Sequence, residues 1–204
     1  MRGRFITFEG IDGAGKSTQI AAVVATLRER GLTVVQSREP GGTPLSEKLR
    51  EIVLHEPMNL ETEALLMFAA RKEHLAQVIE PALARGEWVV CDRFSDATFA
   101  YQVGGRGLDA AKFAQLEHWV HPGLQPDLTF LFDVAPAVAA QRLATGRADT
   151  DRFEREQTGF FEQVRAAYLR RAAASGGRLQ VINAERPLNT VTAEVLAVLA
   201  DRLP

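Results

Sequence analysis

At 204 residues, 46% hydrophobic and 25% charged, the chain has the length and composition of one globular domain, which excludes a disordered tail, a collagen-like repeat and a disulfide-stapled miniprotein. A net charge of −2 excludes the strongly basic balance of a domain that coats nucleic acid. No apolar run approaches the roughly 18 residues of a membrane span, and Met1-Arg2-Gly3-Arg4 leads into a strand-like run with no signal-peptide pattern, so a cytoplasmic protein without a membrane partner is expected.

The first apolar run, Phe5 to Glu9, reads as a strand and is followed by a glycine-rich turn and a helix over 16–30. A second strand, Thr33 to Ser37, precedes helices over 45–54 and 61–85. In the latter, Leu65, Leu66, Phe68, Ala69, Leu75, Val78, Ile79 and Ala82 recur near a 3.6 period, as in an amphipathic helix laid on a sheet. The third strand, Trp88 to Asp92, holds the single cysteine, Cys91, which the surrounding WVVC run marks as an inert core residue. A loop is expected at the VGGRG stretch 103–107, then a helix over 109–119, a strand from Leu128 to Val134 and a helix over 136–145. The charged stretch 146–156 reads as another loop, before a helix over 156–174, a strand from Leu179 to Asn183 and a helix over 188–202. Short, continuously apolar strands alternating with helices predict an α/β fold: a doubly wound, five-stranded parallel sheet covered on both faces, in one domain over 1–204.

Between the first strand and the first helix, Gly10-Ile-Asp-Gly-Ala-Gly15-Lys16-Ser17 matches G-x4-G-K-[ST] in the strand-to-helix context that a phosphate-binding loop requires. Its glycines let backbone N–H groups turn inward around phosphate oxygens at a helix N-terminus, where the helix dipole favours an anion. Gly10, Ile11, Asp12, Gly13, Ala14, Gly15, Lys16, Ser17 and Thr18 are therefore expected to bind ATP, with Lys16 on the β/γ-phosphates and the Ser17 hydroxyl on Mg²⁺. A carboxylate at the end of a neighbouring strand should help hold the metal. Asp92 and Asp133 both fit, and Asp92 is favoured because Arg93 follows it. The basic residues are arginine apart from Lys16, Lys48, Lys72 and Lys112, a bias compatible with phosphate chemistry. His118 and His121 lack the partners of a metal site. The N-K-x-D motif that specifies guanine is absent, which leaves a small phosphotransferase as the leading class.

Further motifs add a resemblance. FEGIDGAGKST (8–18), REPGGT (38–43), LLMFAAR (65–71), DRF (92–94), AYQ with GGRG (100–107), PDLTFLFDV (126–134) and DRFE (151–154) together resemble the bacterial thymidylate kinases, a group of P-loop nucleoside monophosphate kinases, over essentially the whole length. The resemblance implies ATP and dTMP as substrates, Mg²⁺ as cofactor and a homodimer. It implies that Asp12 binds the acceptor sugar, that Phe68 stacks on thymine while Arg71 bonds its edge, and that Arg50 and Arg93 hold the monophosphate and the transferring group. Thr98 and Gln102 would lie near the base, and Tyr101 would crowd the 2′ position. Many members space the stacking residue and the arginine by four positions rather than three, and Ala97 stands where serine is common. The stretch about 145–155 would be a lid over ATP. Members carry a catalytic arginine either in the P-loop or in the lid; here the P-loop position is Gly13, so Arg147 is assigned the role, with Arg142 and Arg152 as neighbours that contact adenine or anchor the lid. The expected reaction is phosphorylation of dTMP to dTDP. Its rivals are a P-loop kinase for another nucleotide or nucleoside, and a nucleotide-switched interaction module.

Overall fold

The computed structural model describes residues 2–144, 152–153 and 156–203. Strands β1 (Phe5–Glu9), β2 (Val34–Arg38), β3 (Trp88–Asp92), β4 (Leu128–Asp133) and β5 (Leu179–Asn183) form one all-parallel sheet in the order β2-β3-β1-β4-β5. The central strands are buried along their length, as their unbroken apolar sequences require, whereas the edge strand β2 alternates buried and open positions. Residues from successive positions feed opposite faces. Ile6, Phe8 and Val90 join a core with α1 (Lys16–Glu29), α8 (Thr158–Ala173) and α9 (Leu188–Arg202). Phe5, Val89 and Cys91 join a second core with α3 (Leu60–His74) and α6 (Ala110–Val120).

The remaining helices are α2 (Pro44–His55), α4 (Glu80–Ala84), α5 (Ser95–Thr98) and α7 (Pro136–Ala144). The single helix expected over 61–85 is instead α3, a π-helical turn at Leu75–Ile79, and α4. Pro81 brings no N–H to the helical ladder, and the wider turn lies directly before the piece that contains it.

A second departure concerns the first three residues of the loop expected at 103–107, because α5 runs into a π-helical segment, Phe99–Gly105; Arg106, in a turn, and Gly107 lie outside it. The glycines there serve contact rather than turning. A Cβ on Gly104 would lie 2.2 Å from that of Ala167, and one on Gly105 would lie 2.4 Å from the Phe160 ring, so their smallness lets the segment pack directly on α8.

Candidate active site

Chain connections from β1 and from β4 leave in opposite directions across the sheet, so the carboxyl ends of these neighbouring strands define a crevice. A cleft of about 610 Å³ lies there. At one end, Gly15 in the left-handed conformation caps α1, and the exposed Ser17 sits in the helix's first turn. Lys16 Nζ arches back over the loop to donate to the carbonyls of Gly10 (3.0 Å) and Ile11 (3.2 Å). Burial, then the neighbouring Arg93 guanidinium, lowers the Lys16 pKa, while Asp12 and Asp92 oppose the shift. Arg93 holds φ at 70°, a conformation that non-glycine residues rarely adopt, and this turns its guanidinium inward at the end of β3. There Nη2 donates to Asp12 Oδ1 (3.0 Å) and Tyr101 Oη (3.2 Å), and Nη1 donates to Tyr168 Oη (3.3 Å). Asp12, Arg93 and Tyr101 thus form one polar cluster between the P-loop and the rest of the cleft.

The opposite end is built by the segment after β2 and by α3. Thr43 caps α2 through the Ser46 N–H, and the Ser46 hydroxyl donates to the Ala70 carbonyl, which ties α2 to α3. Arg50 of α2 donates to the Pro40 carbonyl (3.0 Å) and lines the cleft. Arg71 of α3 is 2% exposed: Nε donates to Glu39 Oε2 (2.8 Å), Nη2 donates to Thr98 Oγ1 (2.9 Å), and Nη1 is buried with no hydrogen-bond partner in the protein. Phe68 and Phe94 flank its guanidinium, with ring centroids 4.8 and 5.0 Å away. Burial alone would raise the Glu39 pKa, but the charge of Arg71 and the hydrogen bond from His74 outweigh it and hold the carboxyl below its ordinary value.

Asp92 lines the cleft beside Ser17, and its Oδ1 is buried without a hydrogen-bond partner. That orphaned oxygen and the nearby hydroxyl fit Mg²⁺, which is commonly held by few protein ligands together with water and substrate phosphates. Among the described residues no group of three or more His, Cys, Asp or Glu side chains could hold a metal ion. Asp133 is committed elsewhere, taking Arg165 through both oxygens at 2.6 and 2.8 Å.

This geometry has clear relatives. The sequence profile of the family described as thymidylate kinase matches residues 8–195. The chain belongs to the thymidylate kinase family. It is 64% identical to a thymidylate kinase of Bordetella pertussis over 95% of this chain and 93% of that protein. It is 60% identical to one from Methylobacillus flagellatus over 98% of each. The solved structure of the Ehrlichia chaffeensis thymidylate kinase aligns with a TM-score of 0.79 at 34% identity, over 98% of this chain and 99% of that one.

Within this thymidylate kinase fold, Asp12, Gly13, Gly15, Lys16, Ser17, Thr18, Arg50, Arg71, Asp92, Arg93, Thr98, Tyr101, Gln102 and Arg142 all line the one cleft. Gly10, Ile11 and Ala14 are buried and do not line it. Phe68 requires a correction. It is 2% exposed and outside the cleft lining, with its ring packed on Phe113 and beneath Arg71. Met67, four residues before Arg71, is the side chain that reaches the wall, because a fourth residue along a helix returns closer to the same face than a third. Arg147 lies outside the described residues. Sequence reasoning assigned no role to Arg38, Glu39, Leu54 or Phe153, which also line the cleft, although REPGGT contains the first two.

Beneath the P-loop, Glu9 is fully buried, and its carboxylate accepts from the Phe94 N–H (2.7 Å) and the Tyr168 hydroxyl (2.8 Å). Burial, reinforced by Asp96, pushes its pKa up to about 8. Between about pH 5 and pH 8 the unfolded chain has released this proton while the folded chain retains it, so the group's contribution to stability falls as pH rises through that window. Urea unfolding should therefore show the wild type losing more stability than Glu9→Gln between these pH values, by more than about 1 kcal/mol. Parallel profiles for the two proteins would assign the slope to other groups.

Proposed function

We propose that the chain transfers the γ-phosphoryl group of ATP to dTMP, giving dTDP and ADP. The observation that carries this reading is the joining, in one cleft, of a P-loop lysine at one end with a buried arginine edge at the other. Thymine presents a carbonyl oxygen and an adjacent N3–H. The buried Nη1 of Arg71 supplies a donor for the carbonyl, and the Thr98 hydroxyl, already accepting from Nη2, retains capacity to accept from N3–H. Cytosine turns an amino group toward the same donors, and the unmatched pairing penalises it.

Between the two ends, Arg93, braced by Asp12, is set to hold the acceptor phosphate against the donor, with Lys16 on the β/γ-phosphates and a lid over about 145–155 bringing Arg147. Ser17 and Asp92 would hold Mg²⁺, which neutralises phosphate charge. The acceptor is already a phosphate anion, so no side chain has to remove a proton from it. Arg142, which donates to the Ala184 carbonyl at 2.9 Å, is assigned to the adenine side. Tyr101 is assigned to the 2′ position of the sugar. A second copy of the chain is the proposed partner for the face on which Leu65 of α3 and Trp119 of α6 are exposed. Both substrates belong to the cytoplasm, where we place the chain.

An ADP-release assay with Mg-ATP and dTMP, dUMP, UMP, dCMP or AMP tests the reading. Turnover should be strong with dTMP, weaker with dUMP, and at least about 100-fold lower in kcat/KM with dCMP. Equal turnover across the acceptors would leave a P-loop kinase without thymine recognition.

A further inference from the structure

The donor edge of Arg71 is useful for reading a base only if the guanidinium is held still, and a flexible arginine needs several constraints for that. The Glu39 carboxylate is one of them, and it is itself divided. Oε2 takes Arg71 Nε at 2.8 Å, while Oε1 takes His74 Nδ1 at 3.0 Å. The His74 ring is fully buried, and its Nε2 lies 2.7 Å from Ser37 Oγ, so both ring nitrogens are engaged. Since Glu39 is held ionised, Nδ1 carries the proton and donates.

Gly42 closes the loop over this imidazole. A Cβ there would lie 2.5 Å from His74 Nε2 and 2.6 Å from Ser37 Oγ, at a φ of +86°. The segment containing REPGG therefore wraps a buried chain of contacts running Ser37, His74, Glu39, Arg71, Thr98.

An ionised carboxylate beside an arginine prefers to take two parallel N–H bonds. On Arg71 the side-on pair is Nε and Nη2, and Nη2 is the donor now given to Thr98. His74 keeps Glu39 Oε1 out of that competition. We infer that His74 is a positioning residue for base recognition, acting through Glu39 to hold Arg71 in the single-contact arrangement that leaves Nη2 on Thr98 and Nη1 toward the base. This rests on the reading that Arg71 and Thr98 meet the acceptor base.

Two histidine replacements separate positioning from packing. Asparagine places an amide donor where Nδ1 sits, so His74→Asn keeps the bond to Glu39. Glutamine places its amide near Nε2, so His74→Gln keeps the Ser37 side and releases Glu39. The expected result for His74→Gln is a dTMP KM, and a calorimetric dTMP Kd, raised about tenfold, with kcat and the ATP KM within about threefold of wild type. The ratio of kcat/KM for dTMP over dCMP should fall as well. His74→Asn should recover most of the dTMP affinity, and Glu39→Gln, which turns an amide against the Arg71 donors, should behave like His74→Gln.

Wild-type dTMP affinity in folded His74→Gln would overturn the inference, as would equal losses in the asparagine and glutamine variants or an equal rise in the ATP KM. Failure of both His74→Gln and Glu39→Gln to fold would assign the cluster to stability and overturn it too. Absence of dTMP binding or turnover in the wild type would instead remove the underlying acceptor reading, and that is seen before any variant is made.

Discussion

Arg147→Ala is expected to lower kcat for dTMP phosphorylation about 10³-fold, equivalent to about 4 kcal/mol of transition-state stabilisation, with dTMP affinity within about twofold of wild type. Three of the described arginines already have partners within the chain. Arg93 is held by Asp12 and by the Tyr101 and Tyr168 hydroxyls. Arg142 donates to the Ala184 carbonyl, and Arg152 donates to the Val53 carbonyl and to Glu63. The P-loop cannot supply the charge at position 13, where φ is +82° and a Cβ would stand 2.4 Å from the Ala139 carbonyl oxygen of α7. The double variant Arg147→Ala/Gly13→Arg should therefore recover none of the lost kcat. Steady-state kinetics on both proteins, with dTMP affinity measured by calorimetry, decide the matter. Retention of more than a tenth of wild-type kcat in the single variant would move the role to another cation.

The second large effect concerns Glu63, whose side chain is 1% exposed on α3. One carboxylate accepts there from Gln102 Nε2 at 2.8 Å and Arg152 Nη2 at 2.5 Å, and it faces Arg106 Nε at 3.3 Å as an ion pair without a hydrogen bond. Arg106 and Arg152 in turn stack on Phe153, with ring centroids 5.0 and 4.9 Å away, and Phe153 meets the Tyr101 ring edge to face at 5.8 Å. Glu63→Ala removes the counter-charge that the two guanidinium groups share and leaves Arg106 with Glu156, whose Oε1 lies 2.8 Å from its Nη2. Both arginines retain some exposure, so the cost should sit at the low end of broken buried pairs, about 3 kcal/mol. For a chain of this length that lowers Tm by on the order of 10 °C. Because the same cluster backs Tyr101, the dTMP KM should rise in parallel. A stability loss below about 1 kcal/mol in urea unfolding would show that the arginines find water or other partners on their own.

How much of this was legible in the sequence depended on whether a signal was local. Strand limits at Phe5–Glu9, Trp88–Asp92 and Leu179–Asn183 match the expected runs, because continuous apolar stretches bounded by charge or turn residues are local patterns. The P-loop was equally legible, since its glycine spacing is itself the chemistry. Phe68 misled because an aromatic residue in an amphipathic run reads the same whether it faces a ligand or a second helix; only its packing on Phe113 decides. The glycines at 104 and 105 read as part of a loop because local rules cannot see α8 arriving from some 60 residues further on. Glu39, His74 and Glu63 carried no expectation. Each acts through partners more than 25 residues away, and a lone charged residue within a helix or loop looks like a solvated one until those partners are placed.

The burial of Cys91 has a practical corollary. Its side chain is fully enclosed on β3, between β1 and β2, and burial raises the thiol pKa well above the ordinary value. A reagent that attacks thiolates must wait for the core under α3 and α6 to open, and the chain has no other thiol to react sooner. The labelling rate of the unmodified protein thus reports opening of that core, without an engineered probe.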